Sequence, residues 1–139
     1  MRSPSRIEDF TIGQHVTFTK KFTDDDLQRF IAITGDVNPL HVDDAFAAST
    51  KFGRRVLHGM LTASILSTMV GMFLPGTGAI YRSQTIRFLL PVYIDDTVTA
   101  HFVVQSIDRE KHRLVIESWI ENESGQRVIE GTCEAGLLH

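Results

Sequence analysis

Gly59-Met-Leu-Thr-Ala-Ser-Ile-Leu-Ser-Thr-Met-Val-Gly-Met-Phe-Leu74 runs for 16 residues without a charged side chain. It is shorter than the roughly 20 apolar residues that a bilayer span needs. It also carries Thr62, Ser64, Ser67, Thr68 and Gly71. The reading is a helix apolar enough on every side to be buried inside the protein. The cluster Pro75, Gly76 and Gly78 that follows should stop it.

What could cover such a helix lies downstream. Val98, Ala100, Phe102 and Val104 alternate with polar residues, as do Leu114, Ile116 and Ile120, the period of strands with one buried face. Links at Asp108 to Lys111 and Asn122 to Gly125 suit hairpins. Further strands are expected at about Ile80 to Leu89 and Arg127 to Leu137, so that four successive strands form an antiparallel meander. The expected fold class is α+β, a single domain over 1–139 in which the sheet wraps the central helix. Unpaired sheet edges predict a homodimer.

Upstream, Val16, Phe18 and Phe22 fit a short strand. Thr23 before Asp24, Asp25 and Asp26 reads as a helix cap with acids in the first turn, giving a helix from about Asp24 to Thr34 that stops at Gly35. Leu27, Phe30, Ile31 and Thr34 form its stripe. A turn-rich segment, Gly35 to His41, leads to a short helix capped by Asp43 or Asp44, then to a basic loop from Lys51 to Arg55.

The chain has 139 residues, net charge -3 and 42% hydrophobic residues, the composition of one globular domain without the basic excess that phosphate backbones attract. Nucleic acid is therefore not an expected partner, nor is a membrane. One cysteine, Cys133, cannot form an internal disulfide or a zinc cage. Met1, Arg2, Ser3 and Pro4 lack the apolar run of a signal peptide. Together these suggest the cytoplasm, or another reducing compartment such as the mitochondrial matrix.

The residues that could carry chemistry cluster in two places. Asp36, Asn38 and His41 share one short turn stiffened by Pro39, so a carboxylate and an imidazole could converge for acid–base work. Turn chemistry alone also accounts for Asp36 and Asn38, with His41 a satisfied side chain. Gly59 opens the central helix, where backbone N–H groups are unpaired and the dipole is positive, an oxyanion site or an ordinary helix start chosen for close packing. Ser67, two turns on, either points the same way or bonds a carbonyl one turn back. His41 and Asp43 make only a weak metal pair, so no metal is expected. Met60, Met69 and Met72 read as core fillers or acyl-pocket lining, and Arg54 and Arg55 as a solvated loop.

Thr34-Gly-Asp-Val-Asn-Pro-Leu-His-Val-Asp-Asp44, followed by Phe52-Gly-Arg-Arg-Val-Leu-His-Gly-Met-Leu61, resembles the hydratase 2 motif of the MaoC-like (R)-specific enoyl-CoA hydratases. The resemblance continues through Leu74-Pro-Gly-Thr-Gly78 and Ser83-Gln-Thr-Ile-Arg-Phe88. It implies a hot-dog fold, dimerisation through the sheets, and an overhang segment covering an acyl site. It also implies roles: Asp36 and His41 as the catalytic pair, Gly59 as backbone donor to the thioester oxygen, Asn38 and Ser67 in support. The reaction implied is reversible hydration of a trans-2-enoyl thioester to the (3R)-3-hydroxyacyl thioester. No cofactor is implied beyond the CoA or acyl carrier protein that arrives with the substrate.

Three other readings stay open at this point. One is a 3-hydroxyacyl-[acyl carrier protein] dehydratase running the reaction in reverse. The others are a hot-dog acyl-CoA thioesterase and a noncatalytic acyl-CoA binder. Polyhydroxyalkanoate monomer supply and fatty-acid metabolism are roles known in the family.

Overall fold

The computed structural model describes residues 3–139; Met1 and Arg2, part of the N-terminus read above, lie outside the described residues. Strand β1 (His15–Lys21) leads into helix α1 (Asp24–Thr34), whose ends are where the sequence puts them. Thr23 accepts from the Asp26 N–H while Asp26 accepts from the Thr23 N–H, and Gly35 closes the helix at φ 73°, a left-handed conformation that glycine adopts without strain.

The turn-rich segment is more helical than expected. Asn38 caps a single turn, α2 (Pro39–Val42), with Pro39 in its first position, and Asp43 caps α3 (Asp44–Ala48). His41 therefore sits on a helical turn, which gives its side chain a defined direction.

The central helix begins at Gly59 as expected but is not regular. It runs as α4 (Gly59–Ala63) and α5 (Ile65–Thr68), then widens into a π-turn over Met69–Phe73 in which the Leu74 N–H reaches the Met69 carbonyl at 2.8 Å. Nor is it buried on every side. Leu61, Ile65, Leu66, Met69 and Val70 enter the core, whereas Met60, Ser64, Ser67 and Gly71, at spacings of four, three and four, form an exposed stripe. Met60 and Met72 are 57% and 64% exposed, so of the methionines weighed as fillers only Met69 is one.

Five main strands curl around the inner face of this helix: β1, β2 (Ala79–Gln84), β4 (Thr97–Asp108), β5 (Arg113–Glu121) and β6 (Arg127–Leu137), with a two-residue β3 (Arg87–Phe88). The order is β1-β4-β5-β6-β2, antiparallel throughout, and β3 also pairs with β6. Alternate burial along β4 and β5 sends Ala100, Phe102, Leu114, Ile116 and Ile120 into one core with the helix. This is the hot-dog arrangement.

Two strand expectations need correction. The segment Ile80 to Leu89 is two strands that follow one edge of β6, in a single register from Ser83 onward, interrupted at Thr85 and Ile86, where Gly131 lies so close that a Cβ on it would come 1.8 Å from the Thr85 carbonyl oxygen. The four strands are also not one meander. Strand β2 returns beside β6, and the stretch after β3 is pulled toward the chain before α4 instead, through Leu57 N–H to Val92 O at 2.8 Å and the bridge Val56 to Tyr93. Among the described residues no helix is long and apolar enough to cross a membrane.

Candidate active site

The segment Val56, Leu57 and His58, buried beneath α2 and leading into α4, organises the site. Val56 offers its carbonyl to His41 Nδ1 at 2.8 Å. The donor to a carbonyl must be N–H, so in the neutral ring the proton is on Nδ1 and Nε2 is a bare acceptor. His58, 3% exposed, presents Nε2 to the backbone carbonyl of Asp36 at 3.0 Å, which likewise puts its proton on Nε2. The two imidazoles stack with centroids 3.8 Å apart and planes 26° from parallel, and Phe30 packs on His58 at 4.8 Å.

Asp36 lies just above. Its side chain is half exposed, Oδ1 accepts from the Asn38 N–H at 3.1 Å, and Oδ2 stands 3.8 Å from His58 Nε2. Asn38 in turn accepts from the Leu40 N–H at 3.0 Å. Both turn bonds weighed in the sequence are therefore present. They hold Oδ1 of Asp36 and leave Oδ2 outside the turn.

Asp36, His41, His58 and Gly59 all line one open cavity of about 270 Å³, flanked by Phe30 and Met60. A larger, mainly apolar cavity of about 700 Å³ adjoins it and shares His41, Gly59 and Met60; Leu40, Phe52 and Phe88 are among its walls. The acid and the imidazole thus open onto common space, with the apolar room an acyl chain would need beside them. As the first residue of α4, Gly59 leaves its N–H outside the intrahelical ladder and at the positive end of the dipole. The close-packing reading of Gly59 holds as well: a Cβ would come 2.7 Å from the Phe88 ring.

Other residues sit elsewhere. Ser67 is exposed and lines neither cavity. Asp43 caps α3 by accepting from the Phe46 N–H at 3.0 Å and is not among the residues whose ligand atoms converge with those of His41. Ligand atoms of Asp36, His41 and His58 do lie within 4.8 Å of one another. Stacked rings, however, aim their in-plane lone pairs nearly parallel, whereas a tetrahedral ion needs them to converge, and each ring already has one nitrogen on a carbonyl. Arg55 is no solvated residue: it pairs with Asp44 and Asp24 and donates to the His41 carbonyl. Arg54 stacks on Tyr93 at 4.0 Å. His58 is the residue that sequence reasoning missed as a partner of the pair; its position directly before Gly59 was the only signal.

An antiparallel sheet curled about one helix, with a carboxylate, an imidazole and that helix's first residue lining one cavity, defines a protein of the hot-dog class. The family model described as "MaoC like domain" matches residues 8–135, and the chain belongs to that family. The chain is 39% identical to an (R)-specific enoyl-CoA hydratase of Aeromonas caviae over 120 residues, 86% of this chain and 90% of that protein. It is also 39% identical to an (R)-specific enoyl-CoA hydratase of Rhodospirillum rubrum over 124 residues, 89% and 85% of the two chains. The solved structure of the A. caviae (R)-hydratase, described as involved in PHA biosynthesis, superposes with a TM-score of 0.90 at 37% identity, covering 94% of this chain and 98% of that one.

Proposed function

We propose that the chain is an (R)-specific enoyl-CoA hydratase, a hydro-lyase that adds water reversibly to a trans-2-enoyl-CoA and yields the (3R)-3-hydroxyacyl-CoA. The observation that carries this is the cavity shared by Asp36, His41 and Gly59. Likeness to hydratases over nearly the whole chain supports it.

In this reading the thioester oxygen lies against the Gly59 N–H and the acyl chain fills the larger cavity. Asp36 and the bare Nε2 of His41 hold one water over the double bond. Its oxygen bonds to C3 as the pair takes up one of its protons, charge passes to the thioester oxygen, and a proton is returned to C2. Holding the water on one side of the substrate sets the stereochemistry. Asn38 supports the site by shaping the turn that carries both groups.

The test follows loss of the conjugated enoyl thioester with wild type, Asp36→Asn and His41→Ala. Each folded variant should lose about 10²- to 10⁴-fold in kcat; near-wild-type turnover by either would remove it from the site. Release of free CoA without hydration would favour the thioesterase, and preference for carrier-protein substrates the dehydratase. A chain-length series would show whether the product suits polyhydroxyalkanoate synthesis.

The homodimer belongs to the same reading. Among the described residues strand β2 ends the sheet with Ile80 38% exposed, and the central helix leaves Met60, Ser64, Ser67 and Gly71 exposed. Light scattering should return twice the chain mass. A single cysteine at 0% exposure suits the reducing compartment proposed.

A further inference from the structure

We infer that His58 is a positioning residue for the hydration reaction, holding Asp36 and His41 in register with one another; this rests on the function proposed above. Every residue from Thr34 to Pro39 is exposed, so nothing in the packing fixes the stretch that carries the acid. The other hydrogen bonds made there are local: Gly35 N–H to Ile31, Asp36 N–H to Thr34, Asn38 N–H to Asp36. The bond from His58 Nε2 to the Asp36 carbonyl is different, spanning 22 residues and tying the turn to the start of the central helix.

The same ring sets the plane of His41. Its bond to the Val56 carbonyl fixes where His41 Nδ1 points, and the stack on His58 at 3.8 Å fixes the face. Val56 and His58 are two residues apart, so one short buried segment holds both proton-transfer groups.

His58 also bears a cost that packing alone does not explain. Its Nδ1 is buried and has no hydrogen-bond partner among the described residues. A buried polar atom left unpaired destabilises the fold, and a phenyl ring would fill this place without that penalty. What a phenyl ring lacks is the N–H aimed at Asp36.

The experiment compares wild type, His58→Phe and His58→Gln. For His58→Phe, kcat should fall about 10- to 100-fold with KM within about twofold, as expected when reacting groups lose alignment while binding is kept. Its urea midpoint should be unchanged or higher. Gln carries an N–H at comparable reach, so His58→Gln should recover part of kcat. Amide exchange across 35–41 should quicken in His58→Phe and not in the core strands. Wild-type kcat in His58→Phe, or a loss of kcat that follows a fall in urea midpoint, would overturn the inference while leaving the reaction intact. An inert wild type would instead overturn the reaction, and exchange at 35–41 would then decide the role of His58 by itself.

Discussion

Arg55 donates from Nε to Asp44 Oδ1 at 2.7 Å, and through Nη1 it also reaches Asp24 Oδ1 and the His41 carbonyl, each at 3.3 Å. One guanidinium thus clamps α1, α2 and α3 together at the His41 backbone. The planar fork of arginine, with several donors in fixed directions, suits that task and a lysine ammonium does not.

Arg55→Ala should therefore affect turnover more than stability. Asp24 and Asp44 are 54% and 87% exposed, so solvent screens both pairs, while the Arg55 stem, 18% exposed, gives up some packing; a loss of stability of about 1 kcal/mol is expected. Displacement of His41 should lower kcat about tenfold. Urea denaturation alongside hydration kinetics checks both, and Arg55→Lys should lie between.

Gly59 allows its N–H to be separated from its missing side chain. Gly59→Ala keeps the N–H and adds a Cβ that pushes the half-exposed Phe88 ring aside. Gly59→Pro adds the same carbon and removes the N–H. Proline is tolerated at a first helical position, and His58 at ψ 135° already has the extended backbone required before it. If the N–H holds the developing oxyanion, Pro should lose about 10²- to 10³-fold in kcat relative to Ala. Equal rates for the two variants would mean that the donor lies elsewhere.

Gly131→Ala should be tolerated poorly. Its Cβ would meet a backbone oxygen, that of Thr85, which the Thr85 N–H to Thr132 O bond of 2.9 Å holds in place. No side chain can swing away, so a loss of about 1–3 kcal/mol is expected, visible as a lower urea midpoint.

His101 should make stability sensitive to mild acid. Burial holds its pKa below the ordinary imidazole value, and His15 and Arg127 push the same way against the pull of Glu121. The folded protein thus binds this proton less readily than the unfolded chain. Stability is full above the unfolded pKa of about 6.5 and falls as pH drops toward the folded value. Urea midpoints at pH 7.5 and 5.5 should differ more in wild type than in His101→Gln.

Much of this was legible in local sequence because local forces decide it. The cap at Thr23, the stop at Gly35 and the alternation from Val98 to Ile120 depend on neighbours a few residues apart. So does the turn that brings Asp36 near His41. The motif around them led to the family because those residue types stand at fixed short spacing.

Long-range contact decided the rest. Nothing within Thr85 and Ile86 says that Gly131 of β6 lies against them, so the break between β2 and β3 could not be read. An uncharged helix looks buried throughout, yet which of its sides meets the sheet depends on how far the sheet curls. His58 gave no local sign of its partners, because its hydrogen bond and its stack join residues 22 and 17 positions away. Short-range signals in the chain account for the caps at Thr23 and Gly35, the alternating strands and the chemical groups available; which distant groups meet was settled only in three dimensions, because pairing and packing energies depend on proximity in space.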